Sequence, residues 1–241
     1  TGDMIFGNYI KSFTEVMDAL SSTGVPFAYV FGNHYSEAEV TQEELYVISD
    51  RYPLCLNSST KGLTGLSNYV LAIDDASGKP SSALYMFDSH GYIGKGTYVG
   101  YDYVRDDQIR WYRTVSEKMC RRYSKSHDSA KIPSYAFIHI PVPEYTIAFE
   151  LGKISGNKGE AVCSPAINSG LFAAFFDRGD IKAVFSGHDH DNDYDSELLG
   201  IRLVYGRYSG GNTVYNNLKP GGVRILDLRD FGSVFETSVV T

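Results

Sequence analysis

The sequence predicts an α/β fold (α+β in its connections): two mixed β-sheets covered by helices, in a single domain over residues 1–241. The site is expected at the carboxyl ends of the strands. Three observations point there. Strand-length apolar runs are separated first by helices and later by hairpins, an order that suits sheets with helices packed over them. Four of those runs stop at residues of metal-ligand type. Hydrophobic residues make up 43% of the chain and charged residues 21%, a globular composition at a length sufficient to bury a core.

The totals also narrow the function. A net charge of −7 argues against a nucleic-acid groove as the main surface. No apolar run approaches the roughly 20 residues that a membrane span needs. The three cysteines, Cys55, Cys120 and Cys163, form no CxxC pair, so a cysteine zinc site is not expected; one disulfide or three reduced thiols both fit. Nineteen Tyr and thirteen Phe favour a packed core and an aromatic-lined cleft. Thr1 to Gly7 opens without an initiator Met and reads as a strand running into a loop. We therefore expect a further N-terminal strand, and a targeting segment, compartment (cytoplasmic or extracytoplasmic) and oligomeric state all stay open.

Element by element, Tyr9–Ser22 places Ile10, Phe13, Val16, Met17 and Leu20 at helical spacing before Gly24 and Pro26. Phe27 to Phe31 is a short strand that stops at Gly32-Asn33-His34. A second helix begins with Thr41 and Glu44 in capping-box register, and Pro53 closes it. Tyr69–Ile73 and Ala83–Phe87 flank a polar turn and predict a hairpin. Asp88 to Asp102 carries Gly91, Gly94, Gly96 and Gly100 with Tyr92, Tyr98 and Tyr101, too long and Gly-rich for a mere connection; it reads as a binding loop. Asp106 and Asp107 start a helix with the stripe Ile109, Tyr112, Val115 or Ser116, and Met119, whose Arg121-Arg122 end is solvated. Ser134–Ile140 and Lys182–Phe185 are buried strands, with a helix over Asn168–Phe176 between them. Gly200–Tyr205, Gly222–Leu228 and Ser233–Val240 supply three more strands.

The chemistry concentrates at four strand ends: Gly2-Asp3, Gly32-Asn33-His34, His139, and His188-x-His190. Carboxylate, amide oxygen and imidazole together suit Mn, Fe or Zn. Strand ends can converge because neighbouring strands lie about 4.8 Å apart. A lone His-x-His beside Asp is equally a solvated loop; four such ends in a chain with six His are not.

In order, GD, GNH, H and GHxH resemble the calcineurin-like metallophosphoesterase superfamily. The wording TGDMIFG, FGNH, FIHIPVPEY and FSGHDHDND is similar to its purple-acid-phosphatase-like branch, over Asp3 to about Arg207. The resemblance implies a four-layer sandwich with a dinuclear centre of two divalent or trivalent ions (Mn, Fe or Zn). It implies that Asp3 bridges the ions, that Asn33, His139 and His188 complete one and that His190 binds the other. His34 would act on the leaving group of a small phosphorylated substrate. Two cations about 3.5–4 Å apart generate hydroxide from bound water near neutral pH and neutralise phosphate charge. A phosphomonoesterase is the expected activity. A phosphodiesterase or pyrophosphate-cleaving enzyme, or a non-catalytic phosphoryl- or metal-binding scaffold, are the alternatives.

Two departures stand out. The family's first Asp/His motif would have to precede Thr1. Phe6 stands where purple acid phosphatases place a tyrosine ligand, so a tyrosinate–iron colour is not expected. Asp191, Asn192 and Asp193 could orient the ligand imidazoles, although for two of the three a solvated loop is the expectation. Further candidates for the substrate are Tyr145, which otherwise packs in the core or rim, Arg207, which otherwise forms a surface salt bridge, and His90, for which a surface position is the first expectation.

Overall fold

The computed structural model describes residues 1–127, 131–152, 154–210 and 215–241, with Phe231 described for its backbone alone. Helix α1 (Tyr9–Ser22) buries Phe13 and Met17 from the expected stripe. Helix α2 (Gln42–Ser49) starts at the expected capping box: Thr41 accepts from the Glu44 N–H while the Glu44 carboxylate accepts from the Thr41 N–H, an arrangement worth about 1 kcal/mol. Strands β1 (Tyr69–Asp74) and β2 (Pro80–Phe87) form the predicted antiparallel hairpin. The Gly/Tyr segment folds into a second hairpin, β3 (Tyr92–Lys95) and β4 (Tyr98–Tyr101). Helix α3 (Asp106–Tyr123) follows, then β5 (Ser134–Ile138), α4 (Glu144–Glu150), β6 (Ile154–Ser155), α5 (Leu171–Arg178), β7 (Ile181–Ser186), β8 (Asp195–Leu198), β9 (Ile201–Tyr205), β10 (Val223–Arg229) and β11 (Val234–Val240).

One large mixed sheet has the order β1-β2-β5-β7-β9-β8-β6. Its centre, β2, β5, β7 and β9, is parallel, and both faces of these strands are covered, which is why they read as unbroken apolar runs. On one face Tyr85, Phe87, Ile138, Val184 and Leu203 pack under α3, α4 and α5. On the other, Tyr135, Phe185 and Val204 meet Leu226, Leu228 and Phe235 of the β10–β11 hairpin. The strands end in step: Phe87 pairs with Ile138, Ile138 with Ser186, and Ser186 with Tyr205. His139 and Gly187 therefore leave the sheet side by side. No helix among the described residues is long and apolar enough to cross a membrane.

The helix-flanked mixed architecture is as expected, but its second layer of strands is reduced. Among the described residues it consists of the β10–β11 hairpin and the extended segment Phe27–Phe31, which pairs only through an isolated bridge between Phe27 and Cys55. The backbone of this segment is satisfied by side chains instead. Asn57 accepts the Tyr29 N–H at 2.8 Å and donates to the Tyr29 carbonyl at 3.0 Å, and Ser67 accepts the Phe31 N–H at 3.2 Å. Alternation still holds along it. Ala28 and Val30 face the large sheet with Tyr69 and Met86, whereas Tyr29 and Phe31 face α1 and α2. The site turn at Asn33 is thus hung between two apolar layers. Asn57→Ala should lower stability by about 1–2 kcal/mol, because it leaves the Tyr29 N–H unpaired, while the Tyr69 hydroxyl still donates to the Tyr29 carbonyl at 2.6 Å; urea denaturation measures it.

Candidate metal centre

Asp3, Asn33, His139 and His188 meet at one point. The Asp3 Oδ2 lies 2.7 Å from His139 Nε2, the Asn33 Oδ1 lies 3.0 Å from the same nitrogen, and His188 Nδ1 is 3.3 Å from it. The ligand atoms of Asp3, His139 and His188 all lie within 4.8 Å of one another. Local backbone explains how. A Cβ at Gly32 would collide with the Asp3 carboxylate, so only glycine lets the Asn33 turn sit this close. His188 takes a φ of 74°, a left-handed conformation that costs a non-glycine residue about 1–2 kcal/mol and aims its ring at the cluster.

The electrostatics are those of a cation site. His139 Nδ1 lies 2.7 Å from the Thr1 carbonyl, an acceptor only, so that nitrogen carries a proton and the ring presents Nε2 inward. Two oxygens and two imidazoles then converge, which calls for positive charge at their centre, from a proton or a metal ion. Burial pushes the Asp3 carboxyl up, but His139 beside it and the His34 N–H reverse that and hold it down at about 2. Burial, and then His139, push His188 down to about 3, which keeps it neutral, the form in which imidazole ligates. His188 Nε2 is buried without a hydrogen-bond partner. The residues present fit a metal ion.

His190 lies outside this tight group. Its Nδ1 is 2.9 Å from the Tyr215 carbonyl, and its ring stacks on Tyr215 at 4.6 Å and tilts against Tyr208 at 4.8 Å. That contact places the proton on Nδ1, as in many ligand histidines. His34 donates its backbone N–H to Asp3 Oδ1 at 3.1 Å, and its ring Nδ1 lies 3.0 Å from Glu37 Oε2. Phe6 stands edge-on to the His34 ring at 5.3 Å.

Several expectations fail. Tyr145 lies in the core, fully buried, and donates to the Val184 carbonyl at 2.8 Å; α4, a helix not predicted from the sequence, turns it inward. The Arg207 guanidinium is taken up by other partners: its side chain is buried in an ion pair with Asp193 at 2.7 Å and donates to the Pro220 carbonyl. His90 is half-buried rather than a surface residue, and its ring Nε2 is taken up by Gln108 at 2.9 Å. Asp191, Asn192 and Asp193 are all buried, and none is solvated or bonded to a ligand imidazole. They hold neighbouring loops instead, accepting from Asn217, Gly159 and Asn157 respectively, because β8 starts directly after them.

Three contacts were not legible in advance. Glu37 sits one helical turn from His34, Tyr92 bonds both Asn33 and Glu37, and Tyr101 stands edge-on to His188 at 4.4 Å. A second group of potential ligands, Glu160, Cys163 and Asp189, is occupied by hydrogen bonds from Asp191, Tyr215, Tyr205 and the Cys163 backbone.

No family model matches the chain. "Probable inactive purple acid phosphatase 14" of Arabidopsis thaliana is 30% identical over 229 aligned positions that cover 87% of this chain and 57% of that protein. "Phosphatase DCR2" of Saccharomyces cerevisiae is 32% identical over 249 aligned positions that cover 92% of this chain and 40% of that protein. The chain spans about half the length of the curated relatives it matches. A dimetal phosphatase from Danio rerio shares the fold, with a TM-score of 0.56 at 15% identity over 86% of this chain and 70% of that one. The fold is therefore that of a dimetal phosphatase. Over most of its length the chain is similar to purple-acid-phosphatase-like proteins, a similarity consistent with the calcineurin-like metallophosphoesterase superfamily.

Arg207→Ala should cost about 3 kcal/mol of stability in thermal or chemical denaturation, because the buried Asp193 carboxylate loses its ion-pair partner and keeps only its hydrogen bonds from Asn157. Tyr145→Phe should cost about 1 kcal/mol. Neither should change affinity for a phosphate analogue.

Proposed function

We propose that this chain forms a metal-dependent phosphate-ester hydrolase site acting on phosphomonoesters. The observation that carries the reading is the convergence of Asp3, Asn33, His139 and His188 on one point that requires positive charge. Asp3, Asn33, His139 and His188 would hold one ion, and Asp3 with His190 would serve the second; Mn, Fe or Zn suits the donor set. Such ions supply an ionised water as nucleophile and neutralise the phosphoryl oxygens.

The chain's own groups do the rest. Glu37 accepts the His34 Nδ1–H, so a proton exchanged with the substrate moves at Nε2 of His34. The Asp3 carboxylate fixes the His34 backbone through its N–H, which ties the acid to the ligand cluster. Tyr101, edge-on to His188, shields that ligand from water.

A non-catalytic phosphoryl-binding scaffold is the second reading. It is favoured by the position of His190 outside the tight group and by the word "inactive" in the names of the Arabidopsis relatives.

Elemental analysis of the intact protein, with assays on an aryl phosphate and its bis-aryl ester, separates these readings. Two metals per chain and preference for the monoester are expected. Preference for the diester would replace the monoesterase by a phosphodiesterase, and at most one metal with no hydrolysis would favour the scaffold. His188→Ala should lose both metal and rate. His34→Ala should keep the metal and lose about 10²–10⁴ in rate; normal turnover would remove His34 from the reaction.

A further inference from the structure

Of the β3–β4 hairpin only Tyr101 enters the hydrolysis described above, yet the hairpin also stands against the Asn33 turn. A Cβ at Gly91 would meet Ser36 Oγ and would lie 3.2 Å from the Asn33 carbonyl, so glycine there permits the approach. The next residue, Tyr92, places its hydroxyl 2.7 Å from Asn33 Nδ2 and 2.8 Å from Glu37 Oε1. The other Glu37 oxygen holds His34 Nδ1 at 3.0 Å.

Donor and acceptor chemistry gives this chain of contacts a direction. An ionised carboxylate only accepts, so the single Tyr92 proton goes to Glu37. The hydroxyl oxygen is then left to accept from Asn33 Nδ2. That turns Asn33 Oδ1 toward His139 Nε2, 3.0 Å away. A primary amide is close to symmetric in shape, and without such a partner its NH2 could face inward, where an N–H cannot bind a cation.

We infer that Tyr92 is a positioning residue: its hydroxyl sets which end of the Asn33 amide faces the ligand cluster, and through Glu37 it joins that orientation to the His34 ring. This rests on the proposed role of Asn33 as a ligand. Phe at position 92 would keep the ring and its stacking on Tyr101 at 5.7 Å while removing only the hydroxyl.

The test uses Co2+ in the intact protein, with affinity read by chelator competition and ligation by visible absorption. Tyr92→Phe should weaken Co2+ binding about 10- to 100-fold, as loss of a partner behind a ligand does. Tyr98→Phe, exposed on the same hairpin, should bind as the wild type does. The discriminating variant is Asn33→Asp, whose two oxygens are equivalent and need no orienting. In that background Tyr92→Phe should cost less than twofold. A Tyr92→Phe protein with wild-type affinity would overturn the inference. So would an equal loss in both backgrounds, which would mark the tyrosine as structural. Failure of the wild type to bind Co2+ would remove the metal-site reading itself, and this inference with it.

Discussion

The shared finishing line of the parallel strands is the constraint from which the site follows. Phe87, Ile138, Ser186 and Tyr205 stand in register across four neighbouring strands. The residues just beyond two of them, His139 and Gly187-His188, can therefore occupy one small volume without long loops. Side chains alternate along a strand, so a slip of one residue in β5 would send His139 to the opposite face. Burial of both faces of β5 and β7 makes such a slip expensive, since Tyr135, Ala136, Ile138, Ala183 and Val184 would all have to repack. The core thus holds register, and register holds the ligands.

Asp3 and Asn33 reach the same volume from outside the large sheet. The segment Phe27–Phe31 carries alternate side chains to two apolar clusters, and its backbone is tied by Asn57 and Ser67 rather than by a full ladder. Gly32 then brings the turn against Asp3. The cluster so assembled is poor in donors and rich in acceptors, an arrangement with a desolvation cost that a cation offsets. Left-handed backbone at Asp3 and His188 adds strain at the same place.

Much of this was legible in residues whose chemistry is local. GNH and GHxH announce themselves because Asn and His follow apolar runs at strand ends, and the Thr41–Glu44 capping box because its two bonds span only three residues. What could not be read depends on contacts distant in sequence. Arg207 reads as a phosphate ligand until Asp193 is found against it, and Tyr145 as a cleft residue until α4 turns it inward. Asp191, Asn192 and Asp193 look solvated by composition, yet each is stapled to a loop some 26 to 36 residues away. Phe27–Phe31 has the composition of a strand, but composition does not tell whether its partners are another backbone or the side chains of Asn57 and Ser67. Tyr92 was visible only as one of several tyrosines in a Gly-rich loop.

The most direct measurement is anomalous scattering from crystals of the intact protein grown with Mn2+, collected at the manganese edge. A peak bounded by Asp3, Asn33, His139 and His188 is expected. A strong peak elsewhere with none among these four, or those side chains turned away from one another, would contradict a metal centre at the strand ends.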